Sequence, residues 1–141
     1  GPPDVEPDDL RAEVAVRLLS RGSCASVWLR FRPYAGYQVR ICESVILVGT
    51  HKNTAAVELR KFPLEDAPVP IDGPPTTITL DTVDGVLEVR RDGRPVGTME
   101  LTDPDIGSGR VLLGIFTEPA GTGRRAPYAV AFDQVDVYDL S

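Results

Sequence analysis

From residue 11 onward, apolar and polar positions alternate with a period of two. The alternating segments are rich in Val, Ile, Leu and Thr and are separated by clusters of Gly, Pro, Asp and Asn. This is the signature of half-buried strands, and a helical repeat is nowhere sustained. The pattern predicts strands over 11–20, 24–32, 36–42, 44–50, 55–62, 76–83, 86–92, 95–101, 109–118 and 127–139. Two separators are Asp-Gly pairs, in Val83-Asp84-Gly85-Val86 and Arg91-Asp92-Gly93-Arg94. Both residue types tolerate positive φ, so these are hairpin turns, and 76–83, 86–92 and 95–101 should form a meander. Between 63 and 75 stand Pro63, Pro68, Pro70, Pro74 and Pro75. None can donate to a ladder, so this stretch is read as the main crossover loop. Gly107-Ser108-Gly109 and Gly121-Thr122-Gly123 mark two further loops. The sum is an all-β chain, an antiparallel two-sheet β-sandwich.

The two cysteines sharpen the reading. Cys24 and Cys42 flank a hairpin turning at Pro33-Tyr34-Ala35. If 24 faces 42, antiparallel geometry pairs 26 with 40, 28 with 38 and 30 with 36. That register puts Ala25, Val27, Leu29, Tyr37, Val39 and Ile41 on one apolar face. Cys24, Ser26, Trp28, Arg30, Gln38, Arg40 and Cys42 fall on the other. Patterning and cysteine pairing therefore agree, and a cross-strand Cys24–Cys42 disulfide is expected. Such a bond would contribute about 3 kcal/mol by loop closure and persists only in oxidising compartments. The alternative is a reduced pair in a cytosolic protein. Two cysteines and the single His51 do not make a tetrahedral metal set.

Composition fits one soluble domain: 141 residues, 42% hydrophobic and 26% charged. The net charge of −6 repels phosphate backbones and anionic membranes unless arginines gather into a local patch, so nucleic acid is not an expected partner. No apolar run is long enough to span a bilayer, so no direct membrane insertion is expected. Gly1-Pro2 reads as the remnant of a protease cleavage site, and the following acidic, Pro-rich residues to Asp9 as a linker. Residues 10–141 are then a single β-sandwich domain, excised from a larger protein.

Five runs occur in a telling order: Cys24-Ala25-Ser26-Val27-Trp28-Leu29-Arg30; Gly36-Tyr37-Gln38-Val39-Arg40-Ile41-Cys42; Val86 to Gly93 ending in Asp-Gly; Gly109-Arg110-Val111-Leu112-Leu113-Gly114; and Ala131-Phe132-Asp133-Gln134-Val135-Asp136-Val137. In that order they resemble the concanavalin A-like jelly rolls. More narrowly, they resemble the laminin-G-like and keto-disaccharide-hydrolase-like sandwich domains of bacterial surface proteins, including extracellular regions of actinobacterial serine/threonine kinases. The resemblance spans about 11–140. It implies an extracellular or cell-surface location and attachment to a membrane-anchored parent.

Candidate chemistry is sparse. A sandwich glycosidase needs two carboxylates flanking one bond, and no Glu-x-Asp-x-Glu strand occurs. Asp133, Asp136 and Asp139, three apart, alternate in face and read as solvated strand-edge charge. His51 follows Gly49-Thr50 in an apparent turn, with no nucleophile to serve, so no enzyme is expected. Asp103 and Asp105, in Thr102-Asp103-Pro104-Asp105, are weak calcium candidates: the ion needs six to eight oxygens, and an Asp-Pro turn explains the segment equally well. No other cofactor is implied.

Binding is the stronger expectation. Trp28 offers an aromatic face, with Arg30, Gln38 and Arg40 beside it and Tyr34 at the hairpin tip. Such a set stacks a sugar ring or clamps a carboxylate. The expected role is a noncatalytic recognition or sensor module for carbohydrate, cell-wall material or another small ligand. The alternatives are a structural or protein-interaction domain, in which Trp28 merely covers the disulfide, and an unrecognised glycoside-hydrolase-like enzyme.

Overall fold

The computed structural model describes residues 9–107, 110–117 and 129–141. The described residues form ten strands and no helix: β1 (Leu10–Leu18), β2 (Ser23–Arg32), β3 (Ala35–Ile41), β4 (Val45–Lys52), β5 (Ala55–Pro63), β6 (Thr76–Val83), β7 (Val86–Arg91), β8 (Arg94–Glu100), β9 (Arg110–Thr117) and β10 (Val130–Asp139). Every predicted strand is present, with ends displaced by a residue or two, except that the predicted limits of the ninth at 109 and 118 and the predicted start of the last at 127 lie outside the described residues. Residues 1–8, read from the sequence as remnant and linker, also lie outside them. So do Ser108-Gly109 and Gly121-Thr122-Gly123 of the two glycine-rich loops.

The strands make two five-stranded antiparallel sheets, ordered β10-β1-β6-β7-β8 and β5-β4-β3-β2-β9. Alternation explains the layers. On β1, Leu10, Ala12, Val14, Val16 and Leu18 are buried between the sheets. Arg11 and Arg17 point the other way and fork onto the carboxylates of Asp81 (2.8 and 2.9 Å) and Asp133 (2.7 and 3.0 Å). The facing sheet supplies Val27, Leu29, Tyr37, Val39, Ile41, Ile46 and Val48, and β6 and β7 supply Ile78, Leu80, Leu87 and Val89. Each fully buried aliphatic side chain contributes roughly 1.5–3 kcal/mol relative to exposure, which makes this continuous layer the source of the fold's stability.

The two Asp-Gly turns form as expected, with Asp84 and Asp92 at φ of 50° and 49°. The proline-rich crossover from β5 to β6 is fastened along its length. Val69 N–H donates to the Glu43 carbonyl (2.7 Å), Asp72 N–H to that of Leu18 (2.7 Å), and Arg91 reaches the carbonyls of Ala67 and Pro68. On edge strand β10 the three aspartates are tied locally: Asp133 to Arg17, Asp136 to the Gln134 amide (2.6 Å) and Asp139 to the Ser141 N–H (2.8 Å).

Candidate functional site

The site is the outer face of the sheet β5-β4-β3-β2-β9. Its foundation is the hairpin of β2 and β3, where Ala25 pairs with Ile41, Ser26 with Arg40, Val27 with Val39, Trp28 with Gln38 and Leu29 with Tyr37. This is the register expected from the cysteines. Cys24 and Cys42 are joined by a disulfide with Cα atoms 4.3 Å apart, the spacing of directly opposed residues in a narrow pair. Because paired residues share a face, the core-facing set fixes the outward one. β4 and β5 extend each outward row. One row runs Ser26, Arg40, Leu47, Lys61; the next Trp28, Gln38, Gly49, Glu58; the third Gly36, His51, Ala56.

The face is closed over β2 and opens toward β5. Ser26 is fully buried, and its hydroxyl accepts from the Gln38 amide at 3.3 Å. Trp28, Gln38, Arg40, Leu47 and His51 are half-buried, whereas Ala56, Glu58 and Lys61 are exposed. The Glu58 carboxylate lies between two cations, 3.9 Å from Arg40 and 3.7 Å from Lys61. Gly49 permits the tight junction of β4 with β5. A Cβ there would overlap the Val57 carbonyl oxygen, which the bulge in β5 carries inward.

Two sequence expectations need correction. Pairing of 30 with 36 does not occur, because the register shifts after Leu29 and resumes with Arg32 opposite Ala35. Arg30 takes φ of 53°, and Phe31 joins Trp28 edge-to-face with ring centroids 6.5 Å apart. Gly36 allows this bulge, since a Cβ there would press on Phe31 at 3.3 Å. Arg30 therefore leaves the strict alternation that placed it beside Trp28, and its charge acts on the Tyr37 phenol. That phenol is pushed up chiefly by burial, an effect which Arg30 and Lys52 oppose. The second correction concerns His51, which is a residue of β4 rather than of a turn. The reversal comes at Asn53, with φ of 55°. Tyr34 is 77% exposed at the hairpin tip with φ of 80°. At about 3.3 Å per strand residue it stands roughly 20 Å from the Arg40 row, outside any compact pocket with it.

Among the described residues, Trp28 Nε1 and Arg30 Nε are buried donors with no hydrogen-bond partner. Unpaired buried donors cost about 1–3 kcal/mol each, so each is a polar group the fold leaves unsatisfied.

Asp103 and Asp105 both meet the Lys52 ammonium, at 2.9 and 3.3 Å. Lys52 holds the Asp103 carboxyl below its ordinary 3.8, with help from the Asp105 N–H. A fixed side-chain cation thus sits where calcium was considered, and among the described residues no group of three or more His, Cys, Asp or Glu converges on a metal position. The Asp103 N–H in turn donates to the buried Tyr37 hydroxyl at 2.9 Å, so the segment anchors the loop after β8. A separate shallow cleft of about 320 Å³ lies between the crossover loop and the β7–β8 turn. Its walls include Pro63, Leu64, Asp66, Arg94 and Pro95.

Sequence reasoning missed Glu58, Lys61 and Phe31. For Glu58 a signal existed: a turn at Asn53-Thr54 pairs 52 with 55 and carries the count to 49 opposite 58.

No protein-family model matches the chain, and no curated protein does. Solved structures do share its fold. A carbohydrate-binding module, CBM66, from Bacillus subtilis superposes with a TM-score of 0.74 at 13% identity, covering 95% of this chain and 77% of that one. Sheep galectin-11, in complex with glycerol, gives 0.67 at 12% identity, covering 95% and 93%. A glycoside hydrolase family 16 endo-glucanase from Bacteroides ovatus gives 0.65 at 14%, covering 92% and 69%. At such identities the likeness is one of fold: the chain is a concanavalin A-like jelly-roll sandwich.

Proposed function

We propose that this domain is a noncatalytic saccharide-binding module, working outside the cytoplasm through the outer face of the sheet β5-β4-β3-β2-β9. The observation that carries the reading is the graded face itself. A half-buried indole and a Gln38 amide lie in one row with Glu58, whose carboxylate meets Arg40 and Lys61 of the neighbouring row. Planar donors and acceptors fixed beside an aromatic wall suit sugar hydroxyls, which need both. The Cys24–Cys42 disulfide favours an oxidising compartment. Sandwiches of this shape include a carbohydrate-binding module and a galectin. A noncatalytic role is supported by Glu58 being the single carboxylate on the described strand positions of this face, where glycoside hydrolysis by a carboxylate pair needs two.

The test is a titration of Trp28 fluorescence against soluble oligosaccharides, with Gln38→Ala and Glu58→Gln as variants. Saturable binding weakened about tenfold by either variant, at unchanged melting temperature, is the expected result; tenfold corresponds to about 1.4 kcal/mol. Absence of binding across the panel, or binding indifferent to both variants, overturns the assignment. A protein-interaction role is favoured by a different observation. Edge strand β5 is exposed from Ala55 to Lys61, with Val57 and Leu59 at 52% and 50%. That reading requires a dimer or complex disrupted by Leu59→Lys in sedimentation.

A further inference from the structure

We infer that two copies of this chain join edge to edge through β5, as an antiparallel pair whose two-fold axis passes between Leu59 and Arg60. This names the partner in the protein-interaction reading of that edge, on which it rests, and it is independent of saccharide binding. Among the described strands β5 pairs with β4 alone, and Ala55 to Lys61 are all exposed. The other edge of β5 therefore presents unpaired N–H and C=O groups, a template for one more strand.

The register follows from the faces. Leu59 is the extra residue of the bulge, skipped between Arg60 opposite Val48 and Glu58 opposite Gly49. Val57 lies opposite buried Thr50 and Phe62 opposite buried Ile46, so both belong to the inner side. Glu58 and Lys61, three apart but separated by the bulge, both belong to the outer side. The two-fold sets Val57 beside Phe62 of the second copy and Glu58 beside its Lys61, so faces match on both sides of the seam. The two bulges then lie next to each other. Shifting the pairing by one residue sets Lys61 against Val57, or Glu58 against Phe62, outer against inner, which strand alternation forbids. Shifting it by two sets Lys61 against Ala56, or against Arg60, and loses both unlike pairs. Within one chain Glu58 and Lys61 are 3.7 Å apart and partly exposed, and in the pair each gains a second opposite charge. Exposed ion pairs are individually weak, so these select the register, while backbone bonds and the half-exposed Val57 and Leu59 supply the attraction. A lysine and a bulge ordinarily guard a free edge against pairing; here the lysine meets a carboxylate only in the two-fold register. The seam is short beside the roughly 1,600 Å² of a standard interface, so the dimer is weak and reversible.

The experiment is sedimentation equilibrium of the full chain from about 1 μM to about 1 mM, a range that captures weak association. The wild-type chain should pass from monomer to dimer within it. Glu58→Lys and Lys61→Glu each turn both unlike pairs into like ones and should weaken the dimer at least about tenfold. An equimolar mixture of the two variants restores both unlike pairs across the seam, so it should associate as tightly as wild type. The doubly exchanged chain, carrying both substitutions, should do the same, which also shows that each exchanged residue is compatible with folding. A mixture no tighter than the single variants overturns the inference. A dimer indifferent to both single variants but broken by Leu59→Lys overturns this register and leaves association through β5 standing. A monomer at every concentration overturns the two-fold pair and leaves the edge only to a different protein.

Discussion

Reducing the Cys24–Cys42 bond should cost the domain a defined amount of stability. The bond closes a loop with a sequence separation of 18. On the chain-entropy relation this closure is worth about 3 kcal/mol at 25 °C, exerted on the unfolded chain. With an unfolding entropy of roughly 2.1 cal/mol/K per residue, a domain of about 130 residues should lose roughly 10 °C in Tm. The native hairpin keeps its register without the bond, because Ala25, Val27 and Leu29 still pack opposite Ile41, Val39 and Tyr37 in the core. The assay is thermal and urea unfolding followed by circular dichroism, with and without reductant, reduction being verified by thiol titration. The reduced protein should also show a larger urea m value, since its unfolded chain exposes more surface. A Tm drop below about 2 °C, or a full drop with unchanged m, would refute an effect exerted through the unfolded chain.

Three further outcomes follow from packing and charge. Gly49→Ala places a methyl against the Val57 carbonyl oxygen and should destabilise by about 1–3 kcal/mol in urea melts, loosening β5 first in hydrogen exchange. Tyr37→Phe removes the acceptor of the Asp103 N–H in a fully buried position, for a loss of about 1–2 kcal/mol. The Asp103 carboxyl titrates below its ordinary 3.8 when folded, so the stability it gives is complete above that value and is lost as pH falls through the folded pKa. Lys52 is held above its ordinary 10.5 by the hydrogen bonds of Asp103 and Asp105, so its share is complete below that value and is lost as pH rises through the folded pKa. Asp103→Asn should flatten the acid limb of a Tm-against-pH curve and leave the curve's shape between pH 5 and 8 intact.

Strands such as β1 were legible because a buried face recurs on alternate residues, without a break from Leu10 to Leu18, whereas β5 lies exposed along nearly its whole length and was read from its composition between turn residues. The pairing of β2 with β3 was legible for a second reason, since two cysteines fixed one cross-strand contact and counting gave the others. The count failed at Arg30 because a bulge depends on what the opposite strand tolerates. Here that is Gly36, whose missing side chain makes room for Phe31. Alternation within β2 carries no trace of it. Misplacing the turn after β4 had a similar origin. Gly49 looks like punctuation, but it marks a close approach of β5, and the reversal falls to Asn53. With the turn moved, Glu58 and Lys61 were paired with nothing, so the open half of this candidate face was not assembled from the sequence, whereas the pairing of Trp28 with Gln38 was. The burial of Ser26 was equally illegible, since it depends on what covers the sheet rather than on the strand's own pattern.

The seating of β1 between β6 and β10 bears on how the domain is made. Leu10 is aligned with Asp139 and Leu18 with Val130, so β1 is held by the strand farthest from it in the described sequence. The hairpins of β2 to β5 are local and can close while the chain is still emerging, and Cys24 and Cys42 can be oxidised together at that stage. β1 can pair with β6 sooner, but its other edge stays open until β10 has followed. Long-range pairing of this kind slows folding and lengthens exposure to aggregation. The hairpin that carries the disulfide and the pairing of β1 with β10 thus differ in how much chain must follow before each can close, and a chain clipped within β10 would leave one edge of β1 unpaired.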